Sequence, residues 1–129
     1  MSMLLPAARL GESGVPPAHH LVLALCAEWC GTCRSFRPVL EQLAAHHPQI
    51  AFAWLDIEDD AAMAGDLDVE TFPTLAIFRA GEPLYFGPTL PLEDVVAKLI
   101  RSALAAAGPL AAIPDELDEL TAQLFGREG

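Results

Sequence analysis

Three short apolar runs, separated by segments with other periodicities, define the architecture that this sequence predicts. They span residues 20–26, 50–57 and 74–78, and each has the length and continuous apolar character of a strand buried inside a sheet. Between the first two runs, apolar residues recur at intervals of three and four over residues 32–46, which predicts a helix. The order strand, helix, strand predicts a right-handed crossover and an α/β fold.

The second half of the chain predicts one antiparallel strand and more helices. A turn at residues 80–82 leads into a short apolar run at 83–86, which predicts a hairpin. Helices are predicted at 59–69, 91–107 and 114–125 from their composition and from the prolines beside them. We therefore expect a mixed central β-sheet flanked by helices on both faces, with an extra C-terminal helix.

The chain divides into a lead-in segment, one domain and an extension. Residues 1–18 show no sustained period, and we predict a lead-in with one helical turn near Pro6–Arg9. Residues 19–107 are predicted to form the domain, and residues 108–129 a helical extension packed on it. A chain of 129 residues has the length of a single domain with a real core.

The charge of the chain excludes two classes of partner. The formal net charge is −11, so polyanions would be repelled, and we expect no nucleic acid and no anionic membrane surface as partners. The sequence contains no run of about 18 apolar residues, so it predicts no transmembrane helix. The N-terminal sequence lacks a basic region followed by a long apolar stretch, so we expect no signal peptide and a cytoplasmic, monomeric protein.

Two of the three cysteines, Cys30 and Cys33, stand where the first strand ends and the helix begins. Cys26 lies within the apolar run and is interpreted as a small buried hydrophobic residue. An odd number of cysteines in a cytoplasmic protein argues against a structural disulfide framework. The first turn of a helix has unpaired N–H groups and the positive end of the helix dipole, and both favour a thiolate.

This placement predicts thiol–disulfide exchange. Cys30 would attack a disulfide of a partner, and Cys33, one turn further along, would attack the Cys30 sulfur and release the reduced partner. Gly31 would let the partner approach closely, and Trp29 would screen one side of the site. The remaining interpretations of the pair are a metal half-site and an inert pair.

The sequence offers little support for a metal site. A structural zinc ion takes four ligands, and no second CxxC motif exists in the chain. The histidines occur as His19–His20 and His46–His47, and the second pair ends the predicted helix about four turns from the cysteines. We expect the histidines to be solvated surface groups and the protein to bind no metal.

Two motifs about forty residues apart resemble the thioredoxin family. They are AEWCGTC at residues 27–33 and ETFPT at residues 70–74, and the resemblance extends over residues 19–106. It implies a thioredoxin-like fold and a thiol–disulfide oxidoreductase that acts on protein disulfides. It also implies that no bound cofactor is needed besides the redox-active disulfide, and that a reductase or a small thiol recycles the protein.

The resemblance also assigns roles to residues outside the cysteine motif. Pro38 matches a proline that kinks the helix after the cysteines. Pro73 would be cis and would face the cysteine pair, and the backbone of Phe72 would pair with an extended substrate segment. Gly87 matches a glycine near the substrate groove.

The sequence departs from the family pattern at three positions. Thr32 replaces a common proline between the cysteines, which alters the expected redox potential. Ala24 replaces a buried aspartate that takes a proton from the second cysteine, and Trp54 replaces the lysine that accompanies this aspartate. Asp56 and Glu58 are the candidate replacements, and a chain of water molecules is the other possibility. We expect the resolving step to be slower or to depend differently on pH.

A second function class stays open at this point. The fold could serve as a thioredoxin-like protein-binding module with weak or no redox activity, and the missing proton relay keeps this alternative open. Retention of both cysteines together with Trp29 and Pro73 favours the oxidoreductase.

Overall fold

A mixed sheet of five strands lies at the centre of the protein. The computed structural model describes residues 4–6, 20–27, 30–47, 49–58, 73–79, 82–106 and 113. In chain order the strands are β1 (Leu4–Pro6), β2 (His20–Cys26), β3 (Ala51–Asp56), β4 (Thr74–Arg79) and β5 (Glu82–Pro88). Across the sheet their order is β1-β3-β2-β4-β5. β3 runs parallel to both β1 and β2, whereas β4 is antiparallel to β2 and to β5.

Two helices, α1 (Gly31–His46) and α2 (Glu93–Ala105), belong to the described part of the chain. The predicted strands and helices agree with β2–β5, α1 and α2 to within two residues at each end, which is the usual uncertainty of element boundaries. The predicted helices at 59–69 and 114–125 lie outside the described residues. Within the described part of the chain, neither helix is long and apolar enough to cross a membrane.

The first strand was not expected in the lead-in segment. Leu4–Pro6 pairs with β3 in parallel register, Leu4 opposite Phe52 and Pro6 opposite Trp54. Pro6 is the last residue of this strand, and the other residues of the predicted helical turn, 7–9, lie outside the described part of the chain. Three residues are too few to show an alternating pattern, and the pairing partner decides the conformation. A proline is tolerated here because β1 is an edge strand of this sheet.

The residues of β2 alternate between two apolar clusters. Val22, Ala24 and Cys26 belong to the main core cluster, and Leu21, Leu23 and Leu25 to the cluster on the opposite face. Six consecutive residues, Leu21–Cys26, are 0–1% exposed, as expected for a central strand covered on both faces.

Both described helices contribute to the main core cluster, so both cover the same face of the sheet. Their buried members are Cys33, Phe36, Leu40, Leu43 and Ala44 of α1 and Val96, Ile100 and Ala103 of α2. On the opposite face, Ile113 of the C-terminal extension packs against the second cluster. A described residue of the extension is therefore in contact with the domain.

Candidate active site

Four strands end side by side along one border of the sheet, the edge formed by the carboxyl ends of β2 and β3, and α1 begins there. In parallel strands the carboxyl ends lie on the same side, so Cys26 at the end of β2 is next to Asp56 at the end of β3. The antiparallel strands contribute Thr74 at the start of β4 and Pro88 at the end of β5, which are opposite each other. Open α/β sheets commonly hold their ligands at such an edge.

Cys30 lies at the N-cap of α1, in extended backbone conformation. Its N–H donates to the carbonyl oxygen of Ala27 at 3.0 Å, and its carbonyl oxygen accepts from the N–H of Arg34 at 3.1 Å. The thiol is free and partly exposed. The backbone of Cys30 is thus held at both sides, while its sulfur stays accessible at the helix N-terminus.

Gly31 and Thr32 follow in the first turn of α1 and are both exposed. Among the described residues, a Cβ atom on Gly31 would meet only the Arg34 side chain, at 3.8 Å, which is an ordinary contact distance. Packing within the described part of the chain therefore does not demand a glycine here. Trp29 lies outside the described residues.

Cys33 is fully buried and forms a disulfide with Cys26. The two Cα atoms are 5.7 Å apart, within the usual range for a disulfide. The interpretation of Cys26 as a buried residue of the apolar core is confirmed, but the sequence did not predict its disulfide with Cys33. The physical reason is geometric: Cys26 ends β2 on the face covered by α1, and Cys33 lies in the first turn of that helix, against the same face.

The sequence contained a signal for this contact. Strand alternation puts Val22, Ala24 and Cys26 on one face, and the apolar stripe of α1 that includes Cys33 has to cover that face. In this structure the disulfide joins Cys33 to Cys26, and Cys30 is left as a free thiol.

The two positions of the missing proton relay are neighbours, as the resemblance implies. Ala24 and Trp54 are opposite each other in the register of β2 and β3. Trp54 is partly buried against the main core cluster, and the guanidinium carbon of Arg37 lies 5.1 Å from the centre of its ring. The two positions therefore hold a methyl group and an aromatic ring, and the ring is in cation–π contact with Arg37.

The register separates the two candidate replacement acids, a choice that the sequence left open. Asp56 is opposite Cys26 and is only 7% exposed, whereas Glu58 is exposed. Asp56 Oδ1 accepts a hydrogen bond of 2.9 Å from the N–H of Glu58. Asp56 is the one buried carboxylate among the described residues, and it lies on the strand next to the buried cysteines.

Pro73 lies at the same sheet edge. It precedes Thr74, which is opposite Leu25 in the antiparallel register of β2 and β4, so Pro73 continues β4 toward the end of β2. Pro73 is buried, and its carbonyl oxygen accepts a hydrogen bond of 3.1 Å from the N–H of Thr89. The adjoining residue Phe72 lies outside the described part of the chain.

Gly87 of β5 is partly buried and lies opposite Leu75 of β4. A Cβ atom at this position would lie 2.9 Å from Tyr85 Oη and 3.2 Å from Cζ of the same ring, so a larger residue here would require the Tyr85 ring to shift. The Tyr85 hydroxyl donates to the carbonyl oxygen of Pro88 at 2.9 Å. Burial raises the pKa of Tyr85 because it disfavours the charged phenolate.

Side chains that could hold a metal ion do not converge in the described part of the chain. No group of three or more histidine, cysteine, aspartate or glutamate side chains comes together there. His46, at the end of α1, has an exposed side chain and pairs with Glu93 through Nδ1 and Oε2 at 3.8 Å.

Comparison with known proteins identifies the family. The family model described as thioredoxin matches residues 12–99, more than half of the chain. The thioredoxin of Chlamydia muridarum is 39% identical over 74 residues, which cover 57% of this chain and 72% of that protein. The thioredoxin of Streptomyces clavuligerus is 33% identical over 84 residues, covering 65% of this chain and 71% of that protein.

A solved structure agrees with these relatives. The X-ray structure of Fasciola hepatica thioredoxin superposes with a TM-score of 0.62 at 25% identity, over 80% of this chain and 99% of that chain. Three features of this chain agree with that similarity: the mixed sheet, the helix that begins at the cysteines, and the Cys26–Cys33 pair at disulfide distance. This chain therefore belongs to the thioredoxin family of thiol–disulfide oxidoreductases.

Proposed function

We propose that this protein exchanges disulfides with protein substrates, with Cys30 as the attacking cysteine and Cys33 as the resolving cysteine. The observation that carries the proposal is the difference in exposure between these two cysteines. Cys30 is free and partly exposed at the N-cap of α1, whereas Cys33 is buried in the first turn of the same helix. A partner can reach the first sulfur but not the second.

The cycle begins from a reduced centre, in which Cys33 is not bonded to Cys26. The thiolate of Cys30 attacks a sulfur of the substrate disulfide, a mixed disulfide forms, and the other substrate sulfur leaves as a thiolate that takes up a proton. Cys33 then attacks the Cys30 sulfur, which releases the second substrate thiol and forms the Cys30–Cys33 disulfide. Two electrons pass from the protein to the substrate.

Asp56 is our candidate for the group that receives the proton from the resolving thiol. It is the one buried carboxylate among the described residues, and its strand position is opposite Cys26, the residue in contact with Cys33. A buried carboxylate on the strand that pairs with Ala24 can accept the proton that an aspartate takes in the family pattern.

The substrate segment is proposed to bind along the sheet edge at Phe72, Pro73 and Gly87. The N–H of Thr89, just after β5, donates to the carbonyl oxygen of Pro73, just before β4. This hydrogen bond holds the end of β5 against the start of β4. Trp29, Gly31 and Thr32 are proposed to line the other side, around the Cys30 sulfur.

Recycling by a reductase or a small thiol, the absence of a bound cofactor, a cytoplasmic location and a monomeric state complete the proposal. They rest on the family resemblance and on the composition of the chain. The binding-module alternative is not favoured, because the chain matches the thioredoxin model and two of its cysteines lie at disulfide distance.

The test is reduction of insulin disulfides by dithiothreitol with the protein as catalyst. We expect Cys30→Ser to abolish catalysis, because no accessible sulfur is left to attack. Reduced Cys33→Ser, mixed with insulin after removal of dithiothreitol, should accumulate a mixed disulfide with insulin at Cys30. The matched control is Arg101→Met, an exposed position of α2 that should keep the wild-type rate. Catalysis by Cys30→Ser at the wild-type rate, or none by the wild-type protein, would contradict the proposal.

A further inference from the structure

Cys26 is the one cysteine that the proposed cycle does not use, and it is bonded to the resolving cysteine. We infer that Cys26 is a third redox cysteine of the centre, which takes over the disulfide from Cys30 by attacking Cys33. This inference rests on the proposed function, since it needs the Cys30–Cys33 disulfide as its starting point.

The fold brings Cys26 and Cys33 together through two rigid elements. Cys26 is the last residue of the central strand β2, and its carbonyl oxygen accepts a hydrogen bond of 2.9 Å from the N–H of Ile57. Cys33 is on the buried face of α1, and both side chains are 0% exposed. With Cα atoms 5.7 Å apart, the two cysteines can bond without any movement of the sheet or helix.

Within the proposed cycle, Cys33 therefore has two cysteines to which it can bond. Cys30 precedes it at the helix N-terminus, and Cys26 faces it from the strand beneath. Because a sulfur forms one disulfide at a time, the two bonds exclude each other. The choice between them decides whether the accessible sulfur of Cys30 is bonded or free.

The exchange step is balanced within the chain. The Cys26 sulfur attacks the Cys33 sulfur, the Cys26–Cys33 bond forms, and the Cys30–Cys33 bond breaks with its electron pair passing to Cys30. Cys26 loses one proton and Cys30 gains one. The number of thiols and disulfides stays the same, so the step needs no oxidant or reductant.

The product of this step is the state that the structure shows, with a fully buried disulfide and a free Cys30 thiol at the helix N-terminus. In this state Cys30 can attack a second partner, but Cys33 cannot resolve the mixed disulfide. The accessible Cys30–Cys33 disulfide is thus exchanged for a single accessible thiol, while the disulfide itself is kept in the core.

Glutamyl endopeptidase distinguishes the two disulfides because Glu28 separates Cys26 from the other cysteines. Cleavage after Glu12, Glu28 and Glu41 places Cys26 on peptide 13–28, and places Cys30 and Cys33 together on peptide 29–41. A Cys26–Cys33 disulfide links the two peptides, whereas a Cys30–Cys33 disulfide leaves them separate. Mass spectrometry tells the products apart.

The experiment oxidises the reduced wild-type protein with oxidised glutathione and stops samples with acid at intervals. Free thiols are blocked with N-ethylmaleimide before digestion. We expect the internal disulfide of peptide 29–41 to form first and the linked peptide pair to grow at its expense. N-ethylmaleimide should therefore label Cys26 in early samples and Cys30 in later ones. Absence of the linked pair at every time point would overturn the inference.

Two variants test the direction of the exchange. In oxidised Cys26→Ala, N-ethylmaleimide should not label Cys30, because the Cys30–Cys33 disulfide is the one intramolecular disulfide that this variant can form. In Cys30→Ser the Cys26–Cys33 disulfide should form far more slowly, because the accessible sulfur that receives the disulfide is gone. Formation at the wild-type rate would show direct oxidation of Cys26 and would refute the exchange.

The outcome is independent of the test of the proposed function. Insulin reduction is measured on the same wild-type preparation. If catalysis is absent but the linked peptides appear, the proposed function fails and the buried disulfide stands. If catalysis is present and the linked peptides never appear, the proposed function stands and Cys26 is not part of the centre.

Discussion

The side chain of Arg79 closes the C-terminal end of α2, and its removal should weaken the fold measurably. Arg79 ends β4 and donates from Nη1 to the carbonyl oxygen of Leu104 at 2.9 Å and from Nη2 to that of Ala106 at 3.1 Å. These carbonyls belong to the last turn of α2 and to its C-cap, where the helix has no donors of its own. A cation there also meets the negative end of the helix dipole.

The expected cost follows from these two bonds. A hydrogen bond to a charged group contributes about 1.5–3 kcal/mol when it is well buried, but Arg79 is partly exposed, so water can replace part of each bond. We therefore expect Arg79→Met to lower the free energy of unfolding by about 2 kcal/mol in total. Methionine keeps an apolar stem of similar length, so the lost term is the guanidinium group.

Urea denaturation followed by tryptophan fluorescence measures this cost. All samples are kept reduced so that no disulfide contributes to the difference. Arg101→Met is the matched control, because Arg101 is an exposed residue of the same helix and should change the free energy by less than about 0.5 kcal/mol. Arg79→Lys should fall between the two. Equal midpoints for Arg79→Met and Arg101→Met, at unchanged slope, would refute the reasoning.

Three further predictions concern other residues. Tyr85 is the one tyrosine of the chain, and burial raises its pKa above 10.0; its tyrosinate absorbance should therefore titrate at higher pH in the native protein than in urea. The stability that this shift contributes is complete below pH 10.0 and is lost as the pH rises through the native pKa, a loss that Tyr85→Phe should reduce. Asp56→Asn should slow resolution of the mixed disulfide by Cys33 by about 10²-fold at neutral pH in rapid-quench experiments, whereas Glu58→Gln should leave it unchanged; equal rates would remove Asp56 from the mechanism. Phe36→Ala, at a fully buried position of α1, should cost about 3–5 kcal/mol in urea denaturation, and a cost below about 1 kcal/mol would contradict its place in the core.

Local sequence patterns were sufficient for most elements of the fold. The continuous apolar run at residues 20–26 predicts a central strand and coincides with β2, because a strand covered on both faces needs apolar residues on both. The three-to-four spacing after the cysteines predicts α1, including Pro38 inside it. β1 was missed because three residues carry no period, and its conformation comes from pairing with β3.

The family motifs also located the site, but they did not determine which groups meet there. The CxxC spacing predicts a nucleophile at the start of a helix, and Cys30 is indeed the free thiol at the N-cap of α1. Asp56 and Glu58 were equivalent in the sequence, and the register of β2 with β3 separates them, with Asp56 opposite Cys26 and buried. Register depends on pairing between distant segments, so no local pattern contains it.

The sequence by itself determined the order of β2–β5, α1 and α2 and the position of Cys30 at the start of α1, because each follows from residue type and short-range spacing. The tertiary structure alone decided that Cys33 meets Cys26. These two cysteines are seven positions apart in the sequence, one at the end of a strand and the other in the first turn of a helix. Their contact depends on how α1 lies across β2, and that packing is set by the whole apolar face of the sheet.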